Sequence, residues 1–254
     1  MRQYQVNTSE GIKSVSHIGV NYQGEKEEID LISSYDKSFD NEDEIVIIDG
    51  NNTYYCTLGN IIEAYNLMRS NIASKNPRNV FEYIDCVQSV ILAYFGNSFS
   101  VSGRIRSLNN HQNNYKVSDL AHENSAIGIE RAMLSQNLLW EVDVNSVYKI
   151  GVVLLNNKPT IHAYNIITFN NKHYIFDSMM PTINNGLISP IICEISDDVY
   201  ERMIVPISSE GTDIEVNHVN GLKNQNISIV YDASDSAIKE KSIVKVKRGN
   251  NGRI

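Results

Sequence analysis

The sequence predicts an α+β fold in a single domain, and three observations carry that reading. Helical periodicity is concentrated before residue 141, β-branched and alternating runs dominate after it, and paired asparagines punctuate the clearest of those runs. The 254 residues suit one large domain that buries roughly three quarters of its unfolded surface without covalent staples.

Taken in order, residues 1–42 are polar and mixed and read as an N-terminal extension with short strands. Residues 44–50 (EIVIIDG) are a β-branched run ending in Asp-Gly, a strand signal. Thr57 to Ser74 reads as a helix with Leu58, Ile61, Ile62, Tyr65 and Met68 on one face. Asp85 to Phe95 reads as a second helix stopped by Gly96, and residues 99–106 as extended. The polar stretch 107–118 reads as a loop, and Asn124 to Trp140 as a further helix. Val147 to Leu155, Ile161 to Phe169 and Lys172 to Ser178 then form an antiparallel meander with Asn-Asn turns. Further strands are expected near 187–195, 201–207, 226–231 and 242–247.

Composition excludes several function classes. The net charge of -8 argues against nucleic acid, because an acidic surface gains nothing from counterion release. The exception is residues 239–254, a basic tail read as a solvated terminal segment. No apolar run approaches the roughly 18 residues of a membrane span. The first fifteen residues contain no apolar core of a signal peptide, so the expected location is cytoplasmic, or outside by a route without a cleaved signal. Three cysteines without CxxC spacing argue against a disulfide framework and against structural zinc. Cys56 and Cys193 sit in apolar strand-like runs and read as core, and the remaining histidines show no ligand spacing.

One cysteine differs. In IDCVQSVILAYFG, Val87, Val90, Ile91 and Tyr94 form an apolar helical face, which places Cys86 in the first turn with Asp85 as N-cap. Free backbone N–H groups at that end would favour a thiolate, the nucleophilic form. Downstream, a two-residue loop at Asn170-Asn171 sets Phe169 opposite Lys172 and Tyr164 opposite Asp177. His162 and Asp177 then become diagonal neighbours on one sheet face, about 7–8 Å apart at the backbone. A carboxylate so placed holds an imidazole's tautomer and leaves its other nitrogen for a thiol.

These segments resemble the transglutaminase-like superfamily, a papain-like fold. DCVQSVILAYFGNSFSVSGRI is similar to its core block, in which a Cys opens a helix that ends at Gly before a strand. HAYNIITFNNKHYIFDSMMP is similar to its His-Ala-aromatic and Tyr-x-x-Asp blocks, with Pro181 soon after. The resemblance implies a helix-start Cys packed against an antiparallel sheet carrying His and Asp, and a catalytic triad of Cys86, His162 and Asp177. It covers roughly residues 80–106 and 147–181, and His162 and Asp177 stand fifteen residues apart, as in compact bacterial members. Ile84 stands where Gly is common, and Tyr164 where Trp is common. Residues 107–146 read as an insertion. The indole that serves as oxyanion donor in true transglutaminases precedes the Cys, whereas the single tryptophan here, Trp140, follows it. Asn79 and Gln88 are the candidate side-chain oxyanion donors.

The expected function is thus cysteine-dependent acyl transfer to an amide through a thioester, with hydrolysis favoured over amine acceptance. Protease, deamidase, transglutaminase and biosynthetic acyltransferase all use this chemistry on a protein, peptide or small amide substrate, without metal or organic cofactor. A non-catalytic binding module on the same fold is the alternative from another class.

Overall fold

The computed structural model describes residues 2–8, 11–13, 15–20, 26–31, 34–49, 52–96, 100–155, 158–179, 182–184, 187–190, 192–195, 204–205 and 228–231. In chain order come β1 (Arg2–Thr8), β2 (Gly11–Lys13), β3 (Val15–Val20), β4 (Lys26–Leu31), β5 (Ser34–Tyr35), β6 (Glu44–Asp49) and β7 (Asn52–Thr57). The helices α1 (Ile62–Lys75), α2 (Val80–Phe95) and α3 (Val101–Asn110) follow, then β8 (Asn114–Lys116), a 3₁₀ turn (Val117–Leu120) and α4 (Gly128–Glu141). The second half holds β9 (Ser146–Leu155), β10 (Lys158–Phe169), β11 (Lys172–Phe176), β12 (Thr182–Asn184), β13 (Leu187–Ser189), β14 (Ile192–Ile195), β15 (Ile204–Val205) and β16 (Ser228–Tyr231). The class is mixed α+β.

Two larger sheets organise the described residues. One runs β2-β1-β6-β7-β8, with β8 parallel to β7. The other runs β15-β9-β10-β11-β14-β16, with β5 also paired to β9. The meander expected from the asparagine turns is its centre. Phe169 pairs with Lys172 and Asn165 with Phe176, as a two-residue loop requires, and Asn170 and Asn171 hold φ of 52° and 58°.

The helices cover one face of that centre. Phe81 of α2 packs edge-on against Tyr174 and Phe169, with centroids 5.4 and 6.2 Å apart. From β10, Asn165 donates its Nδ2 to Ala132 O of α4 at 3.1 Å and to Gln136 Oε1 at 3.0 Å. Gln136 also accepts from Ser146 Oγ and donates to Ser146 O, at 3.0 and 2.8 Å. Asn137 grips both backbone groups of Phe39, at 2.9 and 2.7 Å. Polar side chains on a buried helix thus supply hydrogen bonds that the adjoining backbone needs.

Several expectations change. Within residues 107–146, α4 packs on β9, β10 and α2, and Ala132, Met133, Leu134, Leu138 and Leu139 are core residues. Residues 101–106 are helical rather than extended, because Ser100 Oγ caps α3 by accepting the Gly103 N–H at 3.0 Å. The strand block that the resemblance puts after the Gly is therefore helical here. In the N-terminal segment, β1 pairs along β6. On α1, Ile62 is 62 % exposed, and Ala64 and Met68 carry the buried face. The strand expected at 242–247 and the basic tail 239–254 lie outside the described residues.

A buried charge cluster ties α3, β8 and α4 together. Arg104 Nη2 meets Glu130 Oε1 at 2.6 Å, the Tyr115 hydroxyl donates to the same oxygen at 2.5 Å, and Glu130 Oε2 accepts the Ile127 N–H at 2.8 Å. Removing the carboxylate strands the guanidinium in the core. Urea unfolding of Glu130→Ala should therefore show a loss of about 3–5 kcal/mol, while a loss under ~1 kcal/mol would show that the pair is dispensable.

Candidate functional site

The hairpin register matches the two-residue loop over Asn165–Phe176 to Phe169–Lys172. The backbone of His162, in β10, pairs with Gly151 of β9, and the β10–β11 ladder ends at Asn165–Phe176, one residue before Asp177. The His162 side chain lies outside the described residues. Asp177 is 4 % exposed and accepts the Met179 N–H at 2.9 Å, a short turn that ends the strand. Its charge reaches Tyr164, whose phenol is raised above the ordinary value first by burial and then by Asp177.

Cys86 is placed differently from expectation. Helix α2 begins at Val80, because Asn79 caps it: Asn79 Oδ1 accepts the Glu82 N–H at 3.0 Å. Cys86 is therefore the seventh helical residue rather than a first-turn residue, and its N–H belongs to the helical ladder. Asp85 is no N-cap; its carboxylate meets Lys75 Nζ of α1 at 2.7 Å. Without the open N-terminus, nothing from the helix end lowers the thiol pKa. The side chain is fully buried, and burial pushes the thiol up to about 11, against a lowering by Lys75. At pH 7 only ~1 thiol in 10,000 is then ionised.

Orientation on α2 separates the sulfur from the hairpin. Phe81 and Gln88, seven residues apart, both face the sheet: Gln88 Nε2 donates to Ser178 O at 3.2 Å. Cys86, two residues before Gln88, is turned about 160° from it at ~100° per residue. Its charged neighbours are Lys75, Asp85 and Glu82, whereas Asp177 acts on Tyr164 and Arg131. Asn165 and Phe169 of β10 face the helices, while Thr168 bonds His173 on the alternate set of positions. On α2, Cys86 thus lies away from the side that Phe81 and Gln88 turn to the sheet.

The two candidate oxyanion donors have structural partners. Asn79 caps α2, and Gln88 spends its Nε2 on the backbone just past Asp177. Gln88 Oε1 is buried with no hydrogen-bond partner. Of the cysteines read as core, Cys56 is fully buried in β7, with burial raising its thiol, and the Cys193 side chain lies outside the described residues.

Two buried cations escaped the sequence reading. Lys149 lies directly opposite Tyr164 across β9 and β10, is 5 % exposed, and is lowered to about 8 by burial. A lone lysine inside the apolar run 147–155 was the available signal. Arg131 lies inside α4, 4 % exposed, with no sequence signal to mark it. A separate cleft of about 760 Å³ opens beside Leu58, Gly59, Ile61, Tyr65 and Lys116; neither Cys86 nor Asp177 lines it. No known family model matches the chain, and no curated protein matches it as a relative.

The raised thiol gives a direct check. With Cys56 and Cys193 replaced by Ser, the 240 nm absorbance difference from the same protein carrying Cys86→Ser, which cancels the tyrosinates, should stay low through pH 9 and rise near pH 11. A rise below pH 8 would mean that Cys86 is exposed to a charge partner that activates it.

Proposed function

We propose that this chain is a cysteine-dependent acyl-transfer enzyme acting on an amide, in a peptide or a glutamine side chain, with hydrolysis as its main outcome. The β10–β11 register carries the reading. Continued past its Asn165–Phe176 pair, that register would make His162 and Asp177 diagonal neighbours on one sheet face, downstream of a helical cysteine in the order Cys86, His162, Asp177. The similarity of both segments to the transglutaminase-like superfamily supports the same chemistry.

The steps follow from the residue types. His162 takes the proton of Cys86, and the sulfur attacks the carbonyl carbon. The tetrahedral intermediate collapses as His162 returns that proton to the leaving amine, which leaves a thioester. Water, deprotonated by His162, then releases the carboxylic acid and the free thiol. Because burial holds the thiol up to about 11, this proton moves during the reaction rather than resting as an ion pair. The buried orientation of Cys86 adds a requirement. Turnover needs a conformation in which α2, through Cys86, has rolled or unwound toward the His162–Asp177 positions.

One observation favours a second reading. A fully buried, protonated Cys86 suits a non-catalytic module that keeps the shell of the fold for binding. Two measurements separate the readings. An electrophilic thiol probe should label Cys86 ahead of Cys56 and Cys193, and mass spectrometry after incubation with glutamine-containing peptides should trap a thioester at Cys86. Cys86→Ala should lose both signals and at least a thousandfold of any turnover. Equal labelling of the three thiols, with no thioester, would leave the binding module standing.

A further inference from the structure

The cleft beside the start of α1 is walled by groups that the rest of the fold holds in place. Asn137 bonds both backbone groups of Phe39. Asp40 Oδ1 accepts the Glu42 and Asp43 N–H groups at 2.8 and 3.1 Å and so closes the loop that follows it. Elsewhere in the lining, Leu58 O accepts the Ser118 N–H at 3.3 Å. Gly59, at φ 71°, lies so near Ser118 and Lys116 that a Cβ there would collide with both. The volume of about 760 Å³ falls within the roughly 300–1,000 Å³ usual for small-molecule sites.

The lining divides by chemistry. Phe39, Leu58, Ile61, Ile62 and Tyr65 supply an apolar wall, and Ile62 is the most exposed large apolar side chain among the described residues. One full charge of each sign stands beside that wall, on Asp40 and on Lys116. The two do not pair with each other, and among the described residues neither forms an ion pair with another group. Water serves both charges while the cleft is open. A ligand that covers the apolar wall displaces that water and must replace it at both ends. A neutral ligand replaces neither contact, and a simple ion replaces one.

We propose that the cleft binds a short peptide with free ends and an apolar side chain, its ammonium on Asp40 and its carboxylate on Lys116. The apolar side chain lies on the wall of Phe39, Leu58 and Ile62. A single amino acid carries both charges on one carbon and fills only a fraction of the cleft. A peptide separates its terminal charges by up to about 3.3–3.6 Å per residue. The proposal rests on neither Cys86 nor Asp177, which do not line the cleft, and it holds whether or not acyl transfer occurs.

The test is isothermal titration calorimetry of the full chain at pH 7 with L-leucyl-glycyl-L-leucine. Saturable binding is expected. Acetylating the amino end or amidating the carboxyl end should each weaken it at least about tenfold, because each removes one charge-assisted contact. Free leucine should bind more weakly than the tripeptide. Lys116→Gln should weaken the free peptide at least about tenfold and leave the amidated one unchanged. Asp40→Asn, which keeps the oxygen that closes the loop, should weaken the free peptide and leave the acetylated one unchanged. Where a variant does not fold, the two blocked peptides on the wild-type chain read the same contacts. No saturable binding up to about 10 mM, blocked peptides binding as well as the free one, free leucine binding more tightly, or Lys116→Gln weakening the free and amidated forms equally would each overturn the assignment.

Discussion

The constraint on which the second half of the molecule depends is the pair of left-handed residues at Asn170 and Asn171. Both central residues of the hairpin loop hold positive φ, the arrangement whose twist matches that of the flanking strands. Asparagine tolerates that region because its short amide bonds locally. Since side chains alternate along a strand, this loop length decides which residues share a face. One added residue would send Tyr174 and Phe176 to the opposite face and strip Phe81 of its aromatic partner. The contact between helix and sheet therefore rests on two backbone angles.

A second theme is the treatment of buried charge. Arg104, Glu130 and Tyr115 close on one another, so their desolvation is offset by contacts at hydrogen-bond distance. Arg131, the next residue along α4, receives carbonyls and an aromatic face instead of a carboxylate. Lys149, opposite Tyr164, carries burial as the cause of its lowered pKa.

The hairpin and the helix α2 were both legible in the sequence, to different depths. The asparagine pair and the flanking β-branched runs are local signals, and the β10–β11 register follows from them residue by residue. For α2 the apolar spacing and Gly96 marked its end: Gly96 has φ of 90°, and a Cβ there would run into the Asn124 carboxamide. Its start was misread because Asp85 and Asn79 are both good caps, and only packing against α1 decides between them. Lys75 draws Asp85 into an ion pair, leaving Asn79 to accept the Glu82 N–H. Six residues of shift move Cys86 from an open helix end into a closed ladder. The same shift turns an expected activated thiolate into a thiol raised by burial.

By itself, then, the sequence determined the α+β class, the meander and its register, and the buried cysteine at 56. All of these follow from interactions within about twenty residues, where loop length and side-chain alternation leave little choice. Only the tertiary structure decided that 107–146 is core, that Ser100 starts a helix, which face of α2 meets the sheet, and which buried arginine has a counter-ion. Those outcomes depend on contacts between residues distant in sequence, such as Arg104 with Glu130 and Gln88 with Ser178. A local pattern sets what a segment can form; burial against a particular neighbour selects which of its faces is used and what its charges must meet.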